Sequence, residues 1–186
     1  MKHAELVLIA EYLKQFKKIS SISRADDHVL KIYFERGLPL FVDLSRNDSY
    51  MFHKEDFKRS KLYTAPFDVI LAKRFANSAL ERVEVEAGNR IVRLHVKASS
   101  SYKALFTTLQ LEFTGRNTNA IILDEESVVL EALRHIDASV SFRSVKVGEP
   151  LLGLPSRELK EKPFALESSV EVYLKEAYNK LIAFLF

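Results

Sequence analysis

Residues 111–136 read LEFTGRNTNAIILDEESVVLEALRHI, and this stretch indicates how the chain folds. Polar and apolar residues alternate up to Phe113, which is typical of a β-strand with one buried face. The alternation then breaks at Gly115-Arg116-Asn117-Thr118-Asn119, and Gly and Asn tolerate the dihedral angles of tight turns. An apolar run, a polar turn at 124–126 and a second apolar run follow. The stretch therefore predicts consecutive antiparallel strands joined by short turns.

The same organisation extends on both sides of this stretch. Strands are predicted where β-branched and aromatic residues are enriched, over residues 28–35, 39–45, 81–87, 90–98, 103–113, 119–124 and 127–136. Helices are predicted where apolar residues recur at helical spacing, near the N-terminus, over 66–80 and over 168–186. Strands with short polar turns between helices indicate an antiparallel α+β architecture.

The chain divides into three segments by this pattern. Residues 1–155 are predicted to form the folded domain, and residues 156–167 to form a charged linker. Residues 168–186 are predicted to form a helix capped by Ser168 or Ser169. This helix ends on the apolar residues LIAFLF, so we expect these residues to pack against another protein surface. Self-association through this helix is one way to cover them.

Composition excludes several classes of protein. The chain has 186 residues, of which 47% are hydrophobic and 28% charged, so it is not a disordered protein. It contains no cysteine, which excludes disulfides and thiolate metal sites and fits a cytoplasmic location. Neither a signal peptide nor a membrane span is predicted. The net charge of +3 permits a nucleic-acid partner without requiring one.

Catalytic signatures are missing from the sequence. The five histidines are not spaced as a helical metal site, and no G-x-S-x-G elbow is present. Carboxylates fall in turns or on strand faces, where solvation is their usual role. We therefore expect no metal, no cofactor and no enzymatic activity.

Four stretches carry a resemblance to a known family. They are PFDVILAKRF (66–75), AGNRIVRL (87–94), the stretch 111–136 and SFRSVKVGEPLLGLP (141–155). In this order and spacing they resemble the NFACT N-terminal domain, also called the fibronectin-binding protein A N-terminal domain, of RqcH-like ribosome quality-control factors. The chain looks shortened relative to that family, and its last helix resembles the start of the family's coiled-coil arms.

The resemblance implies a fold like the N-terminal domain of formamidopyrimidine-DNA glycosylases, a two-layer antiparallel β structure flanked by helices. It does not imply their chemistry, which uses an N-terminal proline amine beside a glutamate. This chain begins Met1-Lys2-His3, so both groups are missing. The fold is expected here without the glycosylase activity.

The family's function supplies candidate site residues. Its members bind obstructed large ribosomal subunits, recruit tRNA and support C-terminal tailing of the stalled chain. Asn89 and Arg90 match the family's Asp-Arg pair, and Asn in place of Asp makes tailing doubtful while leaving RNA binding possible. The other candidate RNA contacts are cations in the matching motifs: Lys73, Arg74, Arg116, Arg134 and Arg143. A continuous basic surface joining Arg90, Lys73, Arg74 and Arg116 is expected.

Structural interpretations of the same residues stay open. Gly115 and Asn119 can hold the turn while Arg116 pairs with Glu112, and Lys73 and Arg74 can complement a helix dipole. At the level of function, the alternatives are a fibronectin-binding adhesion module and a degenerate remnant that has lost its partners.

Overall fold

A computed structural model describes residues 1–46, 48–55, 61–98, 104–156, 165–166 and 168–183. The helices are α1 (His3–Leu13), α2 (Pro66–Phe75) and α3 (Val170–Ala183). The strands are β1 (Lys18–Asp26), β2 (Val29–Phe34), β3 (Leu40–Asp43), β4 (Tyr50–His53), β5 (Ser78–Val85), β6 (Ile91–Ala98), β7 (Leu105–Glu112), β8 (Asn119–Leu123) and β9 (Val129–Ala132).

The strands form one antiparallel sheet in the order β4-β3-β2-β1-β5-β6-β7-β8-β9. In each of two meanders, β1–β4 and β5–β9, strands that are consecutive in the sequence are neighbours in the sheet. They meet where β1 pairs with β5, through Lys18 opposite Ala79 and Ile19 opposite Ser78. The α+β class predicted from the sequence is confirmed.

The sheet curls so that the two meanders pack as two layers around one core. Leu40 and Val42 of β3 belong to the same buried cluster as Leu109 and Leu111 of β7. After β9, the Arg134 guanidinium donates a hydrogen bond to the Leu44 carbonyl, which follows β3, at 3.0 Å. Strands that are distant in the sheet order therefore meet across the core.

Sequence patterns explain why α1 and α2 form where they do. In α1 the residues at helical spacing, Leu6, Ile9 and Leu13, are buried. In α2, Pro66 stands in the first turn, where its missing N–H is not needed. Asp68 accepts a hydrogen bond from the Ala65 N–H at 3.0 Å and a bidentate pair from Arg24 at 2.9 and 2.6 Å. This pair anchors the start of α2 to β1.

The predicted end of the second helix is wrong, and two strands were not predicted. The helix predicted over 66–80 ends at Phe75, because Asn77 has a positive φ of 56° and the chain enters β5 at Ser78. A positive φ breaks the right-handed helix, and Asn tolerates it better than most residues. Two strands, β1 and β4, were not predicted: β1 reads KISSISRAD, a mostly polar segment, and β4 has only four residues.

The C-terminal helix packs against the domain. Ser169 Oγ accepts a hydrogen bond from the Val172 N–H at 3.3 Å, which is the expected serine cap. Leu174 is fully buried in the main core, and the Tyr178 ring stacks on Phe52 at 5.4 Å between centroids. Leu174 is therefore not available to a second copy. Most of the predicted linker, and the last three residues, lie outside the described residues.

Candidate nucleic-acid interface

Four chain segments meet at one end of the second meander. Antiparallel pairing sets Ile91 opposite Glu112, Glu112 opposite Asn119, and Ile121 opposite Ala132. The start of β6, the turn between β7 and β8, and the exit from β9 therefore lie side by side. We call this region, with the chain after β3 that reaches it, the basic end. Its cations are Arg46, Arg90, Arg116 and Arg134.

The turn before β8 presents Arg116 to solvent. Residues Gly115–Asn117 form a single 3-10 turn, and Gly115 has a φ of 73°, which favours glycine. The Thr118 N–H and hydroxyl both donate to the Gly115 carbonyl, at 3.1 and 2.5 Å. Arg116 is exposed and forms no ion pair within the described residues.

Asn119 holds the same turn from inside. Its side chain is fully buried, and its Nδ2 donates to the Arg134 carbonyl at 2.8 Å. Its Oδ1 accepts hydrogen bonds from the N–H groups of Arg134 and Ala120, at 2.9 and 3.0 Å. The side chain thus bonds to the backbone where the chain leaves β9, a geometry that matches the turn-holding role proposed from the sequence.

Arg134 ties the two layers together. Its Nη1 and Nη2 donate to the carbonyls of Thr118 and Leu44, at 2.6 and 3.0 Å. Burial lowers the pKa of this guanidinium, and the positive charge of Arg46 lowers it further. Two of the three guanidinium nitrogens are engaged inside the protein, so Arg134 offers its charge, rather than a free fork of N–H groups, to the RNA contact predicted for it.

The sequence did not single out Arg46. This exposed residue follows β3 in the loop that leads to β4, and it lies close enough to Arg134 to affect its pKa. The first residue reaches the same region: the Met1 ammonium donates to the Ser49 carbonyl at 3.0 Å, and Arg90 Nη1 donates to the Met1 carbonyl at 3.3 Å. A prediction of β4 would have revealed the Arg46 loop as a hairpin connection.

Asn89 and Arg90 occupy different environments although they are adjacent. Asn89 is buried, and its Nδ2 donates to Glu86 Oε1 at 2.6 Å and to the Leu154 carbonyl at 3.5 Å. Arg90 is half-buried. Asn89 therefore acts as an internal donor in this structure, and its contact with RNA stays a prediction. Arg90 lies within the basic end.

Arg143 is not part of a surface. Its side chain is 3% exposed, and Nη2 donates to the fully buried Glu112 carboxylate at 2.6 Å. The predicted pairing of Glu112 with Arg116 is wrong, because this carboxylate is bonded to Arg143 and to Gln110 Nε2. The Arg143 guanidinium is enclosed, so the RNA contact predicted for it would require this side chain to leave Glu112.

Lys73 and Arg74 lie away from the basic end. They stand in the last turn of α2, which connects to the start of β5, whereas Arg90 follows the other end of β5. A strand rises about 3.3 Å per residue, so β5 spans about 26 Å. The expected continuous surface joining these two cations to Arg90 is therefore interrupted by the length of β5.

A polar row crosses the outer face of β5, β6 and β7. Thr108 Oγ1 lies 2.9 Å from His95 Nδ1, and His95 Nε2 lies 3.0 Å from Glu84 Oε1. A proton on Nε2 satisfies both contacts, and burial lowers the pKa of His95. In the described part of the chain, no group of three or more His, Asp or Glu residues is arranged to hold a metal ion.

Comparison with known proteins identifies the fold family. The sequence-family model named NFACT N-terminal and middle domains matches residues 10–185 of this chain. The chain belongs to the NFACT family. The resemblance carried by the four sequence motifs is thus confirmed. No curated protein matches the sequence of this NFACT chain.

Solved structures share the fold of this NFACT domain. The N-terminal domain of the fibronectin-binding protein PavA from Streptococcus pneumoniae is 19% identical, with a TM-score of 0.74 over 97% of this chain and 68% of that chain. The N-terminal part of the fibronectin/fibrinogen-binding protein FBPS from Streptococcus suis gives 0.71 at 20% identity, over 82% and 61%. The fibrinogen binding protein from Staphylococcus aureus gives 0.68 at 16% identity, over 82% and 56%.

These identities establish a shared fold alone. This NFACT chain spans 56% and 61% of the Staphylococcus aureus and Streptococcus suis chains. None of the helices within the described residues is long and apolar enough to cross a membrane.

Proposed function

We propose that this NFACT domain is a non-catalytic module that binds tRNA and the large ribosomal subunit in ribosome-associated quality control in the cytoplasm. The observation that carries the proposal is the basic end, where Arg46, Arg90, Arg116 and Arg134 converge from four separate segments. Arg46 and Arg116 are exposed and form no ion pair in the described part of the chain.

The chemistry of these side chains suits a phosphate backbone. A guanidinium is always charged at physiological pH, and its planar N–H fork matches the oxygens of a phosphate. Arg134 and Asn119 are locked in place by buried hydrogen bonds, so they fix the position of the turn that carries Arg116. Such preorganisation reduces the entropy lost on binding.

Support for C-terminal tailing depends separately on the residue at position 89. The family pattern has Asp before Arg, whereas Asn89 here donates its amide N–H to a carboxylate and to a carbonyl. An aspartate carboxylate could not make these bonds and would face Glu86 directly. The proposal therefore covers RNA binding and subunit rescue, and support for tailing follows only if Asn89 can replace the acid.

The experiment is fluorescence anisotropy of labelled tRNA over a salt series. We expect saturable binding by the wild-type protein and at least a tenfold loss in the Arg46→Glu/Arg116→Glu variant. Each lost phosphate contact should also make the negative slope of log K against log salt less steep by about one unit. Lys73→Glu/Arg74→Glu is the matched control, because it makes the same charge change at the other end of β5, and it should lose less than twofold.

Two outcomes would contradict the proposal. Absence of tRNA binding at low salt would remove autonomous RNA recognition by this domain. An equal loss in both double variants would show general charge attraction rather than a site at the basic end.

A protein-binding function is the second candidate. It is favoured by the names of the three structural neighbours, which are described as fibronectin- or fibrinogen-binding proteins. Surface plasmon resonance with immobilised fibronectin tests it on the same samples. Binding of fibronectin without tRNA binding would replace the first proposal, and binding of neither would indicate a degenerate remnant.

A further inference from the structure

A groove of about 710 Å³ lies on the outer face of the second meander. Its floor consists of side chains that alternate with core residues on β5, β6 and β7, such as Glu84, His95 and Thr108. One wall is the segment 151–156, which we call the strap. The strap runs from Leu151, whose N–H donates to the Ser127 carbonyl at 2.9 Å, to Ser156, whose hydroxyl donates to the Ala87 carbonyl at 3.4 Å.

The strap crosses the strands without pairing to them. Two side chains from the sheet side hold its carbonyls: Arg143 Nη1 donates to the Leu152 carbonyl at 3.3 Å, and Asn89 Nδ2 donates to the Leu154 carbonyl at 3.5 Å. In the part of the chain that the structure describes, the N–H groups of Leu152, Gly153 and Leu154 have no acceptor. Backbone N–H groups that have no acceptor beside a groove can donate hydrogen bonds to the carbonyls of a bound peptide.

The groove carries the opposite charge to the chain as a whole. Five carboxylates and three guanidiniums line it, while the whole chain has a net charge of +3. One of those guanidiniums, Arg143, is neutralised by Glu112 beneath the floor. Burial lowers the pKa of His95, which keeps this floor residue neutral near pH 7. The rim residues Glu81 and Glu125 are exposed, so their charges face solvent.

We propose that the groove binds an extended peptide segment of a partner protein that carries Lys or Arg at alternate positions. The peptide carbonyls accept hydrogen bonds from the strap, and its basic side chains meet Glu81 and Glu125 at the rim. Its other side chains contact the apolar lining, which includes Phe106, Leu123 and Leu151. The excess of carboxylates repels a phosphate backbone, so this site is independent of the RNA-binding proposal.

The test uses anisotropy with fluorescein-labelled nine-residue peptides. One peptide alternates Lys with Leu, a second has Glu in place of every Lys, and a third is the Lys peptide with alternate backbone N atoms methylated. We expect the Lys peptide to bind the full chain at least tenfold more tightly than the Glu peptide. We also expect methylation to weaken binding at least fivefold, because methyl groups on the peptide backbone keep the peptide from lying close enough to the strap for hydrogen bonding.

A matched pair of charge variants locates the site. Glu81→Lys/Glu125→Lys reverses two rim charges, and Glu55→Lys/Glu176→Lys reverses two exposed charges elsewhere. We expect the rim variant to lose at least tenfold in affinity for the Lys peptide and the control to lose less than twofold. Equal binding of the Lys and Glu peptides, or equal losses in the two variants, would overturn the proposal. Unchanged affinity of the methylated peptide would overturn its backbone-pairing component, and circular dichroism verifies that each variant is folded.

Discussion

At the scale of single residues, Glu112 is the most deeply buried charged residue in the described part of the chain. It is fully buried, and Arg143 and Gln110 donate to its two oxygens at 2.6 Å each. Removing a carboxylate and a guanidinium from water costs several kcal/mol per ion, and their attraction offsets this cost only while both are present. Arg143 therefore serves the fold, and it also orients the strap through the Leu152 carbonyl.

Replacing Arg143 with Met should lower the free energy of unfolding by about 3–5 kcal/mol, because it leaves Glu112 as an uncompensated buried charge. Urea denaturation followed by circular dichroism measures the change. Arg116→Met is the control, and its effect should stay within about 0.5 kcal/mol because the residue is exposed. Glu112→Gln/Arg143→Met should recover most of the loss. A cost below about 1 kcal/mol for the single variant would show that the pair is not essential.

Substitutions of two glycines, Gly115 and Gly153, distinguish the effect of backbone strain from the effect of packing. A Cβ at Gly115 or at Gly153 meets no atom within 4 Å, but only Gly115 has a positive φ, of 73°. Gly115→Ala should therefore lower the free energy of unfolding by about 1–2 kcal/mol, the cost of the left-handed conformation for a residue with a Cβ. Gly153→Ala should be neutral or slightly stabilising. Equal effects in urea denaturation would refute this explanation of the turn.

At the scale of elements, β4 depends on a buried histidine. His53 Nδ1 donates to the Pro39 carbonyl at 3.0 Å, and its Nε2 lies 3.3 Å from the Tyr12 hydroxyl of α1. The imidazole thus joins β4 to the chain before β3 and to α1. Burial lowers the pKa of His53, mainly by desolvating the charged form.

The lowered pKa makes stability depend on pH in a definite direction. The unfolded state binds protons below a pH of about 6.5 while folded His53 stays neutral, so stability falls as the pH drops below that value. The loss approaches about 1.4 kcal/mol per pH unit for each such histidine, until the folded pKa is reached. Urea denaturation at pH 7, 6 and 5 should show a shallower loss in His53→Gln. His28→Gln changes an exposed histidine and is the control, so its stability should depend on pH as that of the wild type does. If His53→Gln also showed the wild-type pH dependence, burial of His53 would not be its cause.

The sequence predicted elements where local periodicity carries the information. Leu6, Ile9 and Leu13 specify α1, and the alternation of polar and apolar residues from Thr108 to Phe113 specifies the second half of β7. β4 was missed because four residues are too few to display a period. Among the candidate site residues, sequence position alone did not distinguish enclosed Arg143 from exposed Arg116. The proximity of Arg46 to Arg134 depends on the curl of the sheet, which no local pattern encodes.

At the scale of the whole molecule, the two meanders share a core although, among the described residues, two residue pairs join β1 to β5. Ile19 lies at this junction and is fully buried in the main core, with residues from both meanders. Because the same cluster contains both halves, neither meander can expose its buried face without exposing the other's. We therefore expect a single cooperative unfolding transition.

Hydrogen exchange with mass spectrometry tests this expectation. Ile19→Ala should lower the free energy of global opening by about 2–5 kcal/mol through the cavity it creates. The most protected amides of β2 and of β6 should lose protection equally, because both exchange through the same opening. Val147→Ala, at an exposed position, should leave both unchanged. Loss of protection confined to one meander would show that the halves unfold independently.

The order of the strands also bears on aggregation. An antiparallel sheet that does not close leaves two edge strands, whose unpaired backbone groups can template pairing with another chain. Here those edges are β4 and β9, with four residues each. Beyond β9, Val129 exchanges hydrogen bonds with the loop at Gly148 and Glu149, and Pro150 adds no donor. Two short edges, one of them covered by the loop at Gly148 and Glu149, therefore disfavour strand pairing between copies of this chain.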